Sequence, residues 1–176
     1  MSAPEVSPPG PQVSAEGSHV PEVREVLTWA DFGDAGRELA RVVAADFEPD
    51  VVVAVARGGL LPAGAVSYAL GVKAIGTLNV EFYTDIAETL PDPVVLPPVL
   101  DGGALNGLKA LVVDDVADSG RTLALVLDLV RSYGAEARSA VLYAKPTSVV
   151  EPDFVWKRTD RWITFPWSAL PPVTAD

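Results

Sequence analysis

Apolar residues arrive in two kinds of run. Val51 to Ala56 is continuous and mostly β-branched, the pattern of a strand covered on both faces. Lys73 to Phe82, Ala110 to Val116 and Arg138 to Ala144 read as three further strands. Between them lie longer stretches of helical character. Leu60 to Leu70 tolerates Pro62 in its first turn and meets a stop at Gly71. Thr122 to Tyr133 forms a second helix, ending at Gly134. Upstream, Phe32, Leu39, Val42 and Val43 make a rough helical stripe, weakened in its first half by Gly33 and Gly36. Thr28 and Asp31 precede it as a capping-box-like start. Strands alternating with helices predict an α/β fold, a central parallel sheet with helices on both faces.

Two segments break this rhythm. Residues 1–22 are rich in Pro, Ser and Gly and bury too little apolar surface to repay ordering, so they read as a flexible tail before one domain at 23–176. The one histidine, His19, falls in that tail, which argues against histidine-based catalysis in the folded part. Residues 83–107 carry clustered prolines and glycines without a clear period. A connection of that length reads as a lid or an added hairpin, with a passive insertion as the alternative.

Composition narrows the chemistry. The chain of 176 residues, 49% of them hydrophobic, suffices for one full core. It has no cysteine, so neither disulfides nor thiolates are available. Its net charge of −11 argues against a nucleic-acid backbone as partner. A local pocket field can still oppose the global charge, so a small anion stays possible. We find no signal-peptide pattern and no apolar run long enough for a membrane span, which leads us to expect a cytoplasmic protein.

The most informative stretch is ALVVDDVADSGRTL, residues 110–123. An apolar strand ends in Asp114 and Asp115, and a turn from Asp118 to Thr122 then opens a helix. In parallel sheets, ligands bind beyond the carboxyl ends of the strands. A helix start offers free N–H groups and a positive dipole end, which favour a phosphate. Gly120 permits close backbone approach, and Ser119 and Thr122 can donate hydroxyl hydrogen bonds. The carboxylates are acceptors suited to sugar hydroxyls, Mg²⁺ or a proton. A ligand with a phosphate, a diol and a bound metal accounts for acids placed beside an anion site. Paired acids after a strand also occur in phospho-acceptor receiver domains and other metal sites; the small-residue turn and helix start favour the sugar phosphate.

These residues resemble the type I phosphoribosyltransferases. LVVDDVADSGRTL is similar to their signature for 5-phosphoribosyl-1-pyrophosphate (PRPP), and VVVAVARGGLLPAG resembles their pyrophosphate loop. AKPTSVVEPDFVWKRTDRWITFPW resembles the C-terminal hood of the 6-oxopurine branch, the xanthine-guanine and hypoxanthine enzymes. The resemblance spans about residues 25–168 and places the hood at about 145–168.

By position, the resemblance implies that Asp114 and Asp115 bind the ribose hydroxyls, directly or through Mg²⁺, and that Asp118 is the general acid or base at purine N7. It gives Ser119, Gly120, Arg121 and Thr122 to the 5′-phosphate, and Arg57 and Gly58 to pyrophosphate. Lys145 would donate to the purine 6-oxygen, Trp162 would stack on the base and Ile163 would bind it through the main chain. Tyr83 becomes a lid candidate. Implied partners are PRPP and a purine base, with Mg²⁺ as cofactor, no nucleic acid, no membrane, and a homo-oligomer (dimer or tetramer). Taken one at a time, Trp162 reads as core packing and Lys145 as a solvated strand-end lysine; their joint order after the signature favours the base site. Trp156 and Trp167 read as structural.

Ser168 stands where the purine enzymes lead us to expect an acid after the Pro-Trp pair. Two function classes follow: a purine salvage phosphoribosyltransferase, or a PRPP-sensing regulatory protein on the same fold. The acidic single domain and the retention of Asp118, Lys145 and Trp162 favour the enzyme. The hood argues against an orotate or other pyrimidine enzyme.

Overall fold

The computed structural model describes residues 23–81, 84–85, 88–89, 94–95 and 102–174. The tail at 1–22 with His19, and the lid candidate Tyr83, lie outside the described residues. In chain order the elements are β1 (Glu25–Val26), α1 (Trp29–Ala44), β2 (Val51–Ala56), α2 (Leu60–Leu70), β3 (Ala74–Glu81), β4 (Thr84–Asp85), β5 (Glu88–Thr89), β6 (Val94–Val95), a 3₁₀ turn (Gly102–Leu105), β7 (Lys109–Ala117), α3 (Arg121–Ser132), β8 (Glu136–Ala144), β9 (Phe154–Arg158) and β10 (Ile163–Thr164).

The local signals act as their chemistry dictates. Thr28 caps α1 by accepting from the Asp31 N–H at 3.2 Å, and Asp31 reciprocates by accepting from the Thr28 N–H. Gly71 ends α2 at φ +74°, and Gly134 follows α3 at φ +85°. Helix α3 starts at Arg121 rather than Thr122, because Gly120 already occupies the cap position.

The main sheet has the order β6-β3-β2-β7-β8-β9. The run from β3 to β9 is parallel, and β6 adds a short antiparallel edge. Alternate residues of each strand enter two different cores. Val52, Ala54, Leu111, Val113 and Leu142 join α1 and α2 on one face, while Val53, Val112 and Val141 join α3 on the other. The α/β expectation holds.

Two elements were not anticipated. Phe154–Arg158, within the segment assigned to the hood, is the fifth parallel strand; its Phe-Val-Trp-Lys-Arg pattern has neither clean alternation nor a continuous apolar run. Glu25–Val26, just before the first expected helix, pairs in parallel with β10. Two residues carry no periodicity, so only the partner strand defines this element. Within the 83–107 connection, β4 pairs antiparallel with β5, a hairpin as one of the alternatives proposed.

Candidate active site

Strand β3 lies on one side of β2 and β7 on the other, so the strand order reverses between β2 and β7. Such a switch point opens a crevice at the carboxyl ends of the strands. Register makes the crevice concrete. Strands β2 and β7 pair from Val51 opposite Ala110 to Ala54 opposite Val113, and β7 then continues against β8 alone as far as Ala117. Asp114 and Asp115 are the first residues beyond the point where β2 leaves.

There the chain turns through Arg57, Gly58 and Gly59 into α2, and the Ala56–Arg57 peptide bond is cis. Backbone packs on backbone. A Cβ at Gly59 would overlap the carbonyl oxygen of Val113 and lie 2.7 Å from that of Val55; one at Gly58 would overlap the Asp115 carboxylate. Glycine is required here for close approach. Arg57, Gly58 and Asp115 line a cavity of about 1050 Å³ with Trp29, Trp167 and the segment around Pro171.

The two carboxylates differ in environment. Asp114 is 9% exposed. Burial pushes its carboxyl well above the usual range, and the neighbouring Asp115 charge adds to this. The Asp115 N–H donates to Asp114 Oδ1 at 2.9 Å. Asp115 is pushed up to about 6 by burial, opposed by hydrogen bonds from the Val116 backbone and the Trp167 side chain. Trp167 therefore does more than pack, although it also stacks on Phe165 at a 4.9 Å centroid distance. The sequence offered no local sign of this contact, which joins residues 52 positions apart.

The turn after β7 is clamped by the β8–β9 connection. Thr147 Oγ1 donates to the Asp118 carbonyl at 3.0 Å, and the Val149 N–H donates to the Ser119 carbonyl at 2.9 Å. Gly120 sits at φ +73° against this clamp, and a Cβ there would overlap Ser148 Oγ and lie 3.0 Å from the Val149 nitrogen. Gly120 provides no side-chain cap to α3, so first-turn N–H groups face the loop. Arg121 and Thr122 begin that helix, and the Arg121 N–H lies 3.5 Å from Ser119 Oγ.

A second cavity, of about 300 Å³, adjoins this loop. Asp118, Lys145, Trp162 and Ile163 line it, together with Arg24 and Ser168. Lys145 Nζ lies 3.4 Å from Asp118 Oδ1 and 5.4 Å from the centroid of the Trp162 ring. Trp162 remains 54% exposed, a free aromatic face rather than core. The Glu25 N–H donates to the Trp162 carbonyl, and the Leu27 N–H to that of Thr164. Alternation in a parallel ladder turns the Ile163 N–H and C=O to the opposite edge. Ser168 contributes to both cavities. Trp156, by contrast, is structural: its indole N–H donates to Glu38 at 2.6 Å and its ring meets Tyr143 edge-on.

The sequence-assigned site residues among those described thus lie about one end of the sheet: Arg57, Gly58 and Asp115 line one cavity, Asp118, Lys145, Trp162 and Ile163 line the other, and Asp114 and residues 119–122 lie on the connecting strand end and helix start. Arg24, Trp167 and the Thr147–Val149 clamp are additions that only folding reveals.

Comparison with known proteins gives a consistent result. The phosphoribosyl transferase domain family matches residues 22–171. The xanthine-guanine phosphoribosyltransferase of Gluconobacter oxydans is 34% identical over 149 residues, covering 82% of this chain and 84% of that protein. The enzyme of the same name from Cereibacter sphaeroides is 36% identical over 118 residues, covering 66% and 67% respectively. Among solved structures, a purine phosphoribosyltransferase from Pyrococcus horikoshii superposes with a TM-score of 0.73 at 36% identity, covering 87% of this chain and 99% of that one.

Proposed function

This chain belongs to the phosphoribosyl transferase family, and we propose that it is a purine salvage enzyme, transferring phosphoribose from PRPP to a 6-oxopurine with release of pyrophosphate. The observation that carries this reading is the convergence of Lys145, Trp162 and Asp118 in one cavity directly beside the 118–122 turn. A stacking face, a cation and a carboxylate suit a flat base with an oxygen acceptor and a proton to lose. The relatives named for xanthine, guanine and purine transfer support the same assignment. Nothing favours the regulatory alternative.

In the proposed reaction, N9 of the purine bonds to C1′ of the sugar as the C1′–oxygen bond to pyrophosphate breaks, its electron pair leaving with pyrophosphate. The proton lost from the purine, at N7, passes to Asp118, which is within reach of the same cavity. Lys145 moves from Asp118 to the purine 6-oxygen, and the main chain of Ile163 holds the base edge. Ser119, Gly120, Arg121 and Thr122 hold the 5′-phosphate at the start of α3. Arg57 and Gly58 hold the departing pyrophosphate, whose growing charge the guanidinium stabilises.

Asp114 and Asp115 face the ribose hydroxyls and are the residues that would hold Mg²⁺. The donor set fits that ion: two adjacent carboxylates whose proton affinity is raised by burial and, at Asp114, also by the neighbouring Asp115 charge, a cost that a bound cation would relieve. Asp114 and Asp115 supply two ligands, and substrate phosphates would complete the coordination. When bound, Mg²⁺ supplies neutralisation of pyrophosphate charge. No described helix is long and apolar enough to cross a membrane. We place the reaction in the cytoplasm, as the compartment that supplies PRPP, and in a homo-oligomer.

The test is pyrophosphate release from PRPP with hypoxanthine, guanine, xanthine and adenine in turn, with and without chelator. The reading expects turnover with one or more 6-oxopurines and loss of turnover in excess chelator. PRPP binding without turnover on any base would favour the sensing protein instead.

A further inference from the structure

The β8–β9 connection meets the turn after β7 at three successive carbonyls. The Lys145 N–H donates to the Ala117 carbonyl at 3.0 Å, Thr147 Oγ1 to that of Asp118 at 3.0 Å, and the Val149 N–H to that of Ser119 at 2.9 Å. Alternate residues of the connection thus hold consecutive residues of the turn. The connection is itself braced: the Ser148 N–H donates to the Lys145 carbonyl at 3.1 Å, and Ser148 Oγ to the Val150 carbonyl at 2.6 Å. The peptides of the turn are trans, and a planar trans peptide carries its N–H and C=O on opposite sides. Each carbonyl drawn to the connection therefore turns the N–H of the next residue away from it, at Asp118, Ser119 and Gly120. Successive N–H groups released from a turn in this way make an anion-binding concavity.

We infer that Thr147 is a positioning residue for this turn: its hydroxyl fixes the Asp118–Ser119 peptide so that the Ser119 N–H is presented to the 5′-phosphate. This rests on the salvage reading above, which gives the turn to that phosphate. Of the three links, the one from Thr147 is made by a side chain, and the other two by main chain that any residue except proline supplies. The turn's orientation is thus under the control of one hydroxyl. Thr147 is exposed and belongs to neither core, so removing its hydroxyl leaves the packing of both cores intact. It acts on the ligand through the turn alone.

The experiment compares Thr147→Val, which keeps the shape and removes the hydroxyl, with Thr147→Ser, which keeps the hydroxyl, in the full chain. Calorimetry gives the dissociation constants for PRPP, ribose 5-phosphate and pyrophosphate, and steady-state kinetics the purine KM. Thr147→Val should weaken PRPP and ribose 5-phosphate by the same factor, about threefold to tenfold, the scale of one hydrogen bond. Pyrophosphate, assigned to Arg57 and Gly58, and the purine KM should not change. Thr147→Ser should restore the affinity of the unmodified chain. A merely structural role for Thr147 would lower the Tm of Thr147→Val and leave these affinities, read on folded protein, unmoved. Unchanged PRPP affinity in Thr147→Val, an equal loss for pyrophosphate, or no rescue by Thr147→Ser would overturn the inference and leave the salvage reading standing. PRPP binding without purine turnover in the unmodified chain would overturn the salvage reading alone, because the affinities still test Thr147. Absence of PRPP binding there would overturn both.

Discussion

The proposed sugar-phosphate half of the site and the proposed base half are built from different materials. Around Arg57–Gly59 and Asp114–Thr122, function rests on backbone: three glycines at which a Cβ collides with neighbouring atoms, a helix start, and two acids on a central strand. Around Lys145 and Trp162, the proposed function rests on side chains, with Trp162 half exposed, Asp118 more so and Lys145 largely buried. A backbone-built subsite is fixed in shape and reads a constant group. A side-chain-built subsite can be retuned one residue at a time without disturbing the core. The phosphoribosyl moiety is the constant partner in this chemistry and the base the variable one, so the division of materials follows the division of tasks.

The largest expected effect comes from Asp118, which stands between the halves. Asp118→Asn should lower turnover about 10²-fold or more while leaving PRPP binding largely intact, because a proton acceptor is lost and no phosphate contact. Parallel measurement of kcat and PRPP affinity decides this, and near-normal turnover would remove Asp118 from the mechanism. Next is the backbone half. Gly120→Ala imposes a side chain at φ +73° against the Ser148–Val149 clamp and should weaken PRPP binding by about 10-fold to 10²-fold, the range of one strained backbone position. Its loss should be the same whichever purine is supplied. Titration calorimetry with PRPP would show normal affinity if the loop is more plastic than its packing indicates.

The base half should respond in the opposite sense. Trp162→Ala should cost about 1–2 kcal/mol of affinity for every purine, by the scale of base–aromatic stacking, with little change for PRPP. Lys145→Ala should instead penalise hypoxanthine, guanine and xanthine more than adenine, which carries no 6-oxygen. Equal losses across all four bases in the lysine variant would separate Lys145 from recognition of that oxygen.

The smallest effect concerns stability. Asp115 has a folded-state pKa raised to about 6, so between its ordinary value and about 6 the folded state holds more protons than the unfolded one. Its contribution therefore favours folding at low pH and is lost as pH rises through about 6. In chelator at pH 7, Asp115→Asn should raise the Tm by about 2–4 °C, corresponding to about 1 kcal/mol, even as it impairs the site. A lower Tm in the variant would mean that the Trp167 hydrogen bond outweighs the desolvation cost.

Most of the sheet was legible in the sequence because strands covered on both faces must be apolar throughout, and Val51–Ala56 and Ala110–Val113 are. The acid pair and the turn at 118–122 were legible because the residue types that mark them, adjacent carboxylates and a small-residue turn before a helix, follow one another along the chain, although their packing partners lie far away in sequence. Strand β9 and the two-residue β1 were not, because neither has a period of its own and each is defined by hydrogen bonds to a distant strand.

The sequence by itself determined the layered fold, the helix ends at Gly71 and Gly134, and the small-residue turn, proposed to bind an anion, with its flanking carboxylates. These depend on periodicity, on left-handed backbone and on local spacing, all written along the chain. Only the tertiary structure decided that Trp167 donates to Asp115, that residues 147–149 clamp the Gly120 turn, and that Arg24 lines the base cavity. Each brings together segments tens of residues apart. Such a juxtaposition leaves no trace in residue order; it exists only after parallel pairing has set the register that brings the two segments together.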